Sequence, residues 1–161
     1  MLGLHDMLSP NRNRPVLGFA TDSDVPELQR IFRACNLTFW TKAGLLSAIS
    51  DTDTLFLTLR AAGRIIGFVV GRIPHNPGLP AEIQNIGIDP RVRRSGYGSI
   101  LFNEFMQHCR EAGSSEIWLE ARESNQPAIQ FYENRGCKVL SKRKNYYISP
   151  VEDALLMTLI L

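Results

Sequence analysis

Asn85-Ile86-Gly87-Ile88-Asp89-Pro90-Arg91-Val92-Arg93-Arg94-Ser95-Gly96-Tyr97-Gly98 is the stretch from which the rest of the chain can be read. An apolar strand ends at Asp89-Pro90, the chain turns, and a basic loop bearing Gly96 and Gly98 opens a long amphipathic helix. Glycines let a backbone approach a ligand with no Cβ in the way. The unpaired N–H groups at a helix start, together with the helix dipole, favour an anion. Arg93 and Arg94 add full charge and forked donors suited to phosphate. The pattern predicts a phosphate-bearing ligand held between a strand end and a helix start. A Walker-type loop is excluded, because Ser99-Ile100 stands where Lys-Ser or Lys-Thr is needed. A dinucleotide fingerprint is excluded too, because Ile100-Leu101-Phe102 supplies no third glycine. The plain alternative is a strand–turn–helix connection with solvated arginines.

Working outward, residues 16–20 read as a short strand. Thr21-Asp22-Ser23-Asp24 offers capping oxygens, and Pro26 falls in the first turn of a helix to about Cys35, with Ile31, Phe32 and Cys35 in its buried stripe. A second helix follows Thr41, with Leu45, Leu46 and Ile49 as its apolar face. Residues 54–60 and 64–73 are β-rich and joined at Ala61-Ala62-Gly63, a hairpin signal. After a loop, residues 81–88 form a further strand. Leu101, Phe105, Cys109 and Ala112 recur at helical spacing from Ser99 to the stop at Gly113. Residues 117–121 are a short central strand, 126–135 a helix ending at Gly136, and 138–148 and 154–161 the last two strands. The order predicts one α/β (α+β) domain over residues 15–161, with a mixed, mostly antiparallel sheet flanked by about four helices. Residues 1–14 are expected to be a flexible arm.

At 161 residues the chain holds one domain with a full core. Apolar residues at 44% and charged residues at 21% are ordinary for a soluble globular protein. A formal net charge of +2 gives no reason to expect direct nucleic-acid binding. Two basic clusters, at Arg91, Arg93 and Arg94 and from Arg135 to Lys144, read as solvated surface unless a ligand claims them. Cys35, Cys109 and Cys137 are odd in number and widely spaced, so neither a disulfide framework nor a metal site is expected. His5 and Asp6 interrupt the apolar residues of the amino-terminal segment, which reads as neither signal peptide nor anchor. A cytoplasmic protein with no membrane partner is the expectation.

A second informative segment runs from Trp118-Leu119-Glu120-Ala121-Arg122-Glu123-Ser124-Asn125 into Phe131-Tyr132. In a strand, Trp118 and Glu120 share one face and Leu119 takes the other. Ser124-Asn125 caps the next helix, and Tyr132 lies about two turns into it. The spacing puts a carboxylate at a strand end and a phenol on the adjoining helix, potentially facing one cleft. Each also has a blander reading: Glu120 as a partner of Arg122 or a nearby lysine, and Tyr132 as packing.

On these residues the chain resembles the GNAT acetyltransferase superfamily, which transfers acetyl groups from acetyl-CoA to amines. The run Arg93-Arg94-Ser95-Gly96-Tyr97-Gly98 is similar to its pyrophosphate-binding loop. Asn85-Ile86-Gly87-Ile88-Asp89-Pro90, the Trp118–Asn125 segment, Asn145-Tyr146-Tyr147 and Glu152-Asp153-Ala154 narrow the resemblance to the RimI type. Enzymes of that type acetylate the amino-terminal alanine of a small-subunit ribosomal protein. The resemblance implies acetyl-CoA as cosubstrate, no metal, Glu120 as general base and Tyr132 as general acid. It assigns Ile86, Gly87 and Ile88 to the pantetheine-pairing edge. Arg93, Arg94, Ser95, Gly96, Tyr97, Gly98 and Ser99 fall to the diphosphate, and Asn125 to a cofactor contact. Two departures stand out: Cys137 replaces the usual phenylalanine, and Tyr147-Ile148-Ser149-Pro150 is shorter than the usual double-tyrosine loop.

The chemistry suits those assignments. A peptide α-amine of pKa about 7.7–8.0 is partly neutral at pH 7, whereas a lysine amine near 10.4 costs roughly 3.5 kcal/mol more to deprotonate. A carboxylate is an adequate base for the first. A phenol can donate to a departing thiolate, and a backbone N–H on the 86–88 strand can stabilise charge on the thioester oxygen. No histidine accompanies Cys109 or Cys137, so transfer is expected to be direct, without an acyl-enzyme. Glu82, on the preceding strand, is the alternative base. Acceptors in prospect are a ribosomal-protein amino terminus or a small-molecule amine. A non-catalytic CoA-binding module is the third reading.

Overall fold

The structure, a computed structural model, describes residues 14–161. Seven strands form one sheet in the order β1-β2-β3-β4-β5-β7-β6. They are β1 (Val16–Phe19), β2 (Thr54–Ala61), β3 (Arg64–Arg72), β4 (Ala81–Ile88), β5 (Glu116–Arg122), β6 (Lys138–Ile148) and β7 (Val151–Ile160). Helices α1 (Val25–Ala34), α2 (Lys42–Ser50), α3 (Tyr97–Glu111) and α4 (Gln126–Glu133) flank it. Every neighbouring pair is antiparallel except β4 with β5. The single α/β domain is therefore as expected from the order of periodic segments. Residues 1–13 of the predicted arm lie outside the described residues. Among the described residues no helix is long and apolar enough to cross a membrane.

Strand alternation divides the core in two. On one face Leu57, Val69, Ile83 and Leu119 meet Phe102 and Phe105 of α3 and Ile129 of α4. On the other, Phe56, Phe68 and Val70 meet Leu28, Ile31 and Phe32 of α1 and Leu45 of α2. Phe32 stacks on Phe68 with ring centroids 4.0 Å apart. Local chemistry starts and stops these elements. Thr41 Oγ1 accepts the Gly44 N–H at 3.0 Å to cap α2, and Asn125 Oδ1 accepts the Ala128 N–H at 3.3 Å to cap α4. The β2–β3 hairpin turns on Ala62 (φ 49°) and Gly63 (φ 75°), the pair of positive φ angles that a two-residue turn needs.

Two elements start two residues or more from where they were expected. Helix α3 begins at Tyr97 rather than Ser99, because Gly96 adopts a left-handed conformation (φ 82°) and starts the helix directly behind it. Strand β7 begins at Val151 rather than residue 154, because Val151 and Glu152 pair with Ile148 and Tyr147 of β6. That long-range pairing outweighs the local polarity of Glu152-Asp153.

One irregularity shapes the site. The β3–β4 register passes from Gly71↔Ile83 to Val70↔Asn85, leaving Gln84 as an extra residue in β4. A bulge bends its strand and raises its twist. Pairing of β4 with β5 covers Ala81↔Ile117, Glu82↔Trp118 and Ile83↔Leu119, and stops there. Beyond the bulge β4 stays paired with β3 but no longer with β5, and the two parallel strands part.

Candidate active site

The parted strands open one edge of β4. In an antiparallel ladder, alternate residues turn their N–H and C=O groups to the partner strand and the rest turn them away. The Asp89 N–H donates to the Ile66 carbonyl at 2.9 Å. By alternation Gly87 also bonds to β3, while Ile86 and Ile88 present their backbone groups to the gap. The three residues expected at this edge thus divide. Ile86 and Ile88 border the gap, although the Ile88 carbonyl already accepts Arg93 Nε at 3.0 Å. Gly87 serves packing, since a Cβ there would lie 2.6 Å from the Phe68 ring.

At the end of β4 the chain enters the basic loop. Asp89, 3% exposed, anchors it. Its carboxylate accepts the Arg91 backbone N–H at 3.1 Å, Arg91 Nε at 3.0 Å and Arg91 Nη2 at 2.7 Å, and from α1 Arg30 Nη1 at 3.1 Å. The Arg91 side chain above all, with its backbone N–H and Arg30, holds the Asp89 carboxyl well below the ordinary carboxylate range against the opposing effect of burial. Arg30 also donates to the Ile65 carbonyl at 2.8 Å, which ties α1, β3 and the loop together. Nothing in the sequence pairs Arg30 with Asp89, 59 residues away. The nearest signal is an aspartate at a strand end ahead of proline.

The loop then prepares a set of donors. Arg94 takes a left-handed conformation (φ 62°), and Gly96 follows at φ 82° with no side chain capping α3. Among the described residues, the backbone N–H groups of Arg93 to Gly98 have no acceptor within the chain. Ser99 and Ile100 already donate to the Gly96 carbonyl, at 3.0 and 3.3 Å. The row of free donors therefore ends at Gly98, one residue short of Ser99. The Ser99 hydroxyl is also engaged, accepting Arg135 Nη2 from beyond α4. Arg135 donates to the Phe131 carbonyl at 2.6 Å as well, and lies 3.5 Å over the Phe131 ring. It bridges α4 to the start of α3 rather than standing in solvent. Gly98 likewise faces protein: a Cβ there would sit 3.2 Å from the Phe131 ring. Of the two glycines in this loop, Gly96 alone needs glycine for its conformation.

Glu120 is the first residue of β5 beyond the last one paired with β4. It lies on the sheet face away from α3 and α4, with Trp118 (36% exposed) on the same face. Neither partner suggested by the sequence holds it. Arg122 pairs instead with Glu152 at 3.1 Å, and Glu120 Oε1 forms an ion pair with Arg143 Nη1 of β6 at 2.6 Å. Interaction with the Glu120 carboxylate, then partial burial, pushes the Tyr146 phenol above its ordinary value. Across the gap, Trp40 Nε1 donates to Asn85 Oδ1 at 2.8 Å. Phe39, Tyr146 and Trp118 leave this side open to solvent. Glu82 is also exposed on this face but lies within the paired part of β4, back from the opening.

Tyr132 lies on the opposite face. Only 6% exposed, it packs with Phe102 and Phe131 in the core under α3 and α4. Glu120 and Tyr132 therefore do not share one surface cleft; the sheet separates them, and the gap beyond Ile83 and Leu119 is the route between. Burial, foremost, raises the Tyr132 phenol well above the ordinary value, so it stays protonated. Burial likewise pushes Cys109 up to about 12 and Cys137 up to about 11. Thiols held protonated are poor nucleophiles, in keeping with direct transfer. Asn125 uses its side-chain oxygen in the α4 cap, and its amide donors point to no partner among the described residues. Among the described residues no group of three or more His, Cys, Asp or Glu side chains is arranged to hold a metal ion.

This geometry can hold a long ligand with an anionic diphosphate and an amide-bearing arm. The free N–H groups before α3, with Arg93 and Arg94, fit the first, and the open β4 edge fits the second. Residues 25–137 match the Acetyltransferase (GNAT) family. A [ribosomal protein bS18]-alanine N-acetyltransferase of Haemophilus ducreyi is 30% identical over 143 residues, covering 87% of this chain and 96% of that protein. An uncharacterised protein of Mycobacterium leprae is 30% identical over 151 residues, covering 90% of this chain, which spans only 41% of that longer protein. Among solved structures, the ribosomal-protein-S18-alanine N-acetyltransferase of Escherichia coli superposes with a TM-score of 0.81 at 26% identity, over 91% of this chain and 94% of that one.

Proposed function

The chain belongs to the GNAT acetyltransferase family, and from that premise we propose that it moves an acetyl group from acetyl-CoA to the amino-terminal α-amine of a ribosomal protein, alanine foremost. Acetyl-CoA is the cosubstrate of this family and supplies the activated thioester. Relatives that carry the ribosomal-alanine activity in their names support the acceptor class, as does the open surface at Phe39, Trp118 and Tyr146. An extended peptide fits such a surface, whereas a small cationic metabolite calls for an enclosed pocket. An acceptor of that kind places the activity in the cytoplasm.

The single observation that carries the mechanism is the parting of β4 and β5. Glu120 stands on one side of the opening and Tyr132 on the other. Glu120 takes the proton of the incoming ammonium on the exposed side, directly or through one water. Tyr132 donates its phenolic proton to the departing sulfur on the buried side. The Ile86 and Ile88 N–H groups orient the pantetheine arm, and one of them stabilises charge growing on the thioester oxygen. The donors from Arg93 to Gly98, with the Arg93 and Arg94 guanidinium groups, bind the diphosphate. Glu82 is the lesser choice of base because it lies back from the opening.

The test is a release assay for CoA with acetyl-CoA and a panel of acceptors. Short peptides with a free amino-terminal alanine should turn over, and the same peptides blocked at that amine should not. Polyamines or amino acids as the better substrates would overturn the acceptor assignment.

A further inference from the structure

Resting on the reading of Glu120 as base, we propose that Arg143, carried by an irregular segment of β6, is a positioning residue that fixes the Glu120 carboxylate for proton transfer. The β6–β7 register runs from Arg143↔Ala154 directly to Tyr147↔Glu152. Lys144, Asn145 and Tyr146 therefore face Asp153 alone, and the bulge contains Asn145 in a left-handed conformation (φ 53°). Asp153 clamps it. Its Oδ1 accepts the Asn145 N–H at 2.8 Å, and its Oδ2 pairs with Lys142 Nζ at 3.2 Å. Those two contacts, the Asn145 N–H foremost, hold the Asp153 carboxyl below its ordinary range.

In a regular strand, residues three apart point to opposite faces. Here Arg143 and Tyr146 both reach Glu120, and Arg143 lies 5.4 Å from the Tyr146 ring centroid. Arg143, in register with Ala154, already lies on the face of Glu120, and the bulge that follows brings Tyr146 round to the same carboxylate. Stability gives little reason for the arrangement. The Arg143 side chain is 50% exposed and that of Glu120 20%, and ion pairs this accessible contribute little to folding. A free glutamate side chain samples several rotamers, whereas a general base must meet its proton within hydrogen-bond reach. With Oε1 held by Arg143, the carboxylate keeps one orientation beside the opening. Arg143 touches neither acetyl group nor amine in this scheme and acts through Glu120.

The experiment measures kcat and acceptor-peptide KM for the parent, Arg143→Gln, Arg143→Lys, Glu120→Gln and the Glu120→Gln/Arg143→Gln double variant. Misplacing a catalytic group costs between about tenfold and a hundredfold, so Arg143→Gln should lower kcat by that factor. Acceptor KM and the melting temperature should hardly change, and Arg143→Lys should recover part of the rate. Added to Glu120→Gln, Arg143→Gln should cause no further loss, because the two side chains act as one unit. Full kcat in Arg143→Gln, or losses that multiply in the double variant, would overturn the positioning role. Unchanged turnover in Glu120→Gln would instead overturn the base assignment itself, so the two failures are distinguishable.

Discussion

Replacing Asp89 with asparagine should loosen the chain and its anion-binding loop together. The carboxylate is 3% exposed and accepts hydrogen bonds from Arg91 and Arg30. An amide of the same shape keeps one oxygen but loses the charge and turns an NH₂ towards a guanidinium. The Arg91 side chain is 65% exposed and recovers water, so its contacts are discounted. Arg30 is 31% exposed and keeps its bond to Ile65, but its buried Nε has no partner. The loss then amounts to one charge-assisted hydrogen bond, about 2–3 kcal/mol. For a domain of this size that is a fall of roughly 4–12 °C in Tm. The sign with pH follows from the lowered carboxyl of Asp89. Its stabilisation is fully present above the unfolded value of about 3.9 and is lost as the pH falls below it. Thermal melts of parent and Asp89→Asn should differ most at neutral pH and draw together progressively as the pH falls below about 4 towards the lowered carboxyl of Asp89. A calorimetric titration should also show weaker CoA binding by the variant. Equal melting temperatures at pH 7 with unchanged CoA affinity would refute the anchoring argument.

Three further outcomes follow from the site. Glu120→Gln should lower kcat/KM by about a hundredfold or more at pH 7. That deficit should narrow as the pH rises through the acceptor amine's own pKa of about 8, when little proton removal is needed; a pH–rate profile reads it. Tyr132→Phe should reduce kcat about tenfold or more and leave the CoA dissociation constant unchanged, which stopped-flow turnover and calorimetry separate. Charge reversal at Arg93 and Arg94 should raise the CoA dissociation constant at least about tenfold, and added salt should narrow the gap to the parent.

The elements were largely legible because their signals are local. Thr41 and Asn125 cap helices where the sequence places them, and Gly63 closes the β2–β3 hairpin as read. The uncapped start of α3 was legible in Gly96, whose left-handed conformation follows from residue type. What remained hidden depends on partners far along the chain. The extra residue Gln84 is visible only once β3 is laid beside β4, yet it decides where β5 parts from β4. Arg143 sat in a basic run that reads as solvated surface, and only its register with Ala154, set by the shift between Val139 and Ser141, puts it on the face of Glu120. Arg135 was masked in the same run, although it ties α4 to Ser99. Alternation put Glu120 correctly on the face of Trp118, but could not say that Tyr132 lies beneath the other face.

The central claim is that free main-chain donors before α3 hold the diphosphate of coenzyme A while the open edge of β4 receives its arm. Calorimetric titration of the purified chain with CoA, and in parallel with pantetheine, which lacks the diphosphate, tests it most directly. The account predicts saturable binding of CoA and at least about a hundredfold weaker binding of pantetheine, the loss of several charge-assisted hydrogen bonds. No heat with CoA at millimolar concentration, or equal affinity for both compounds, would contradict it.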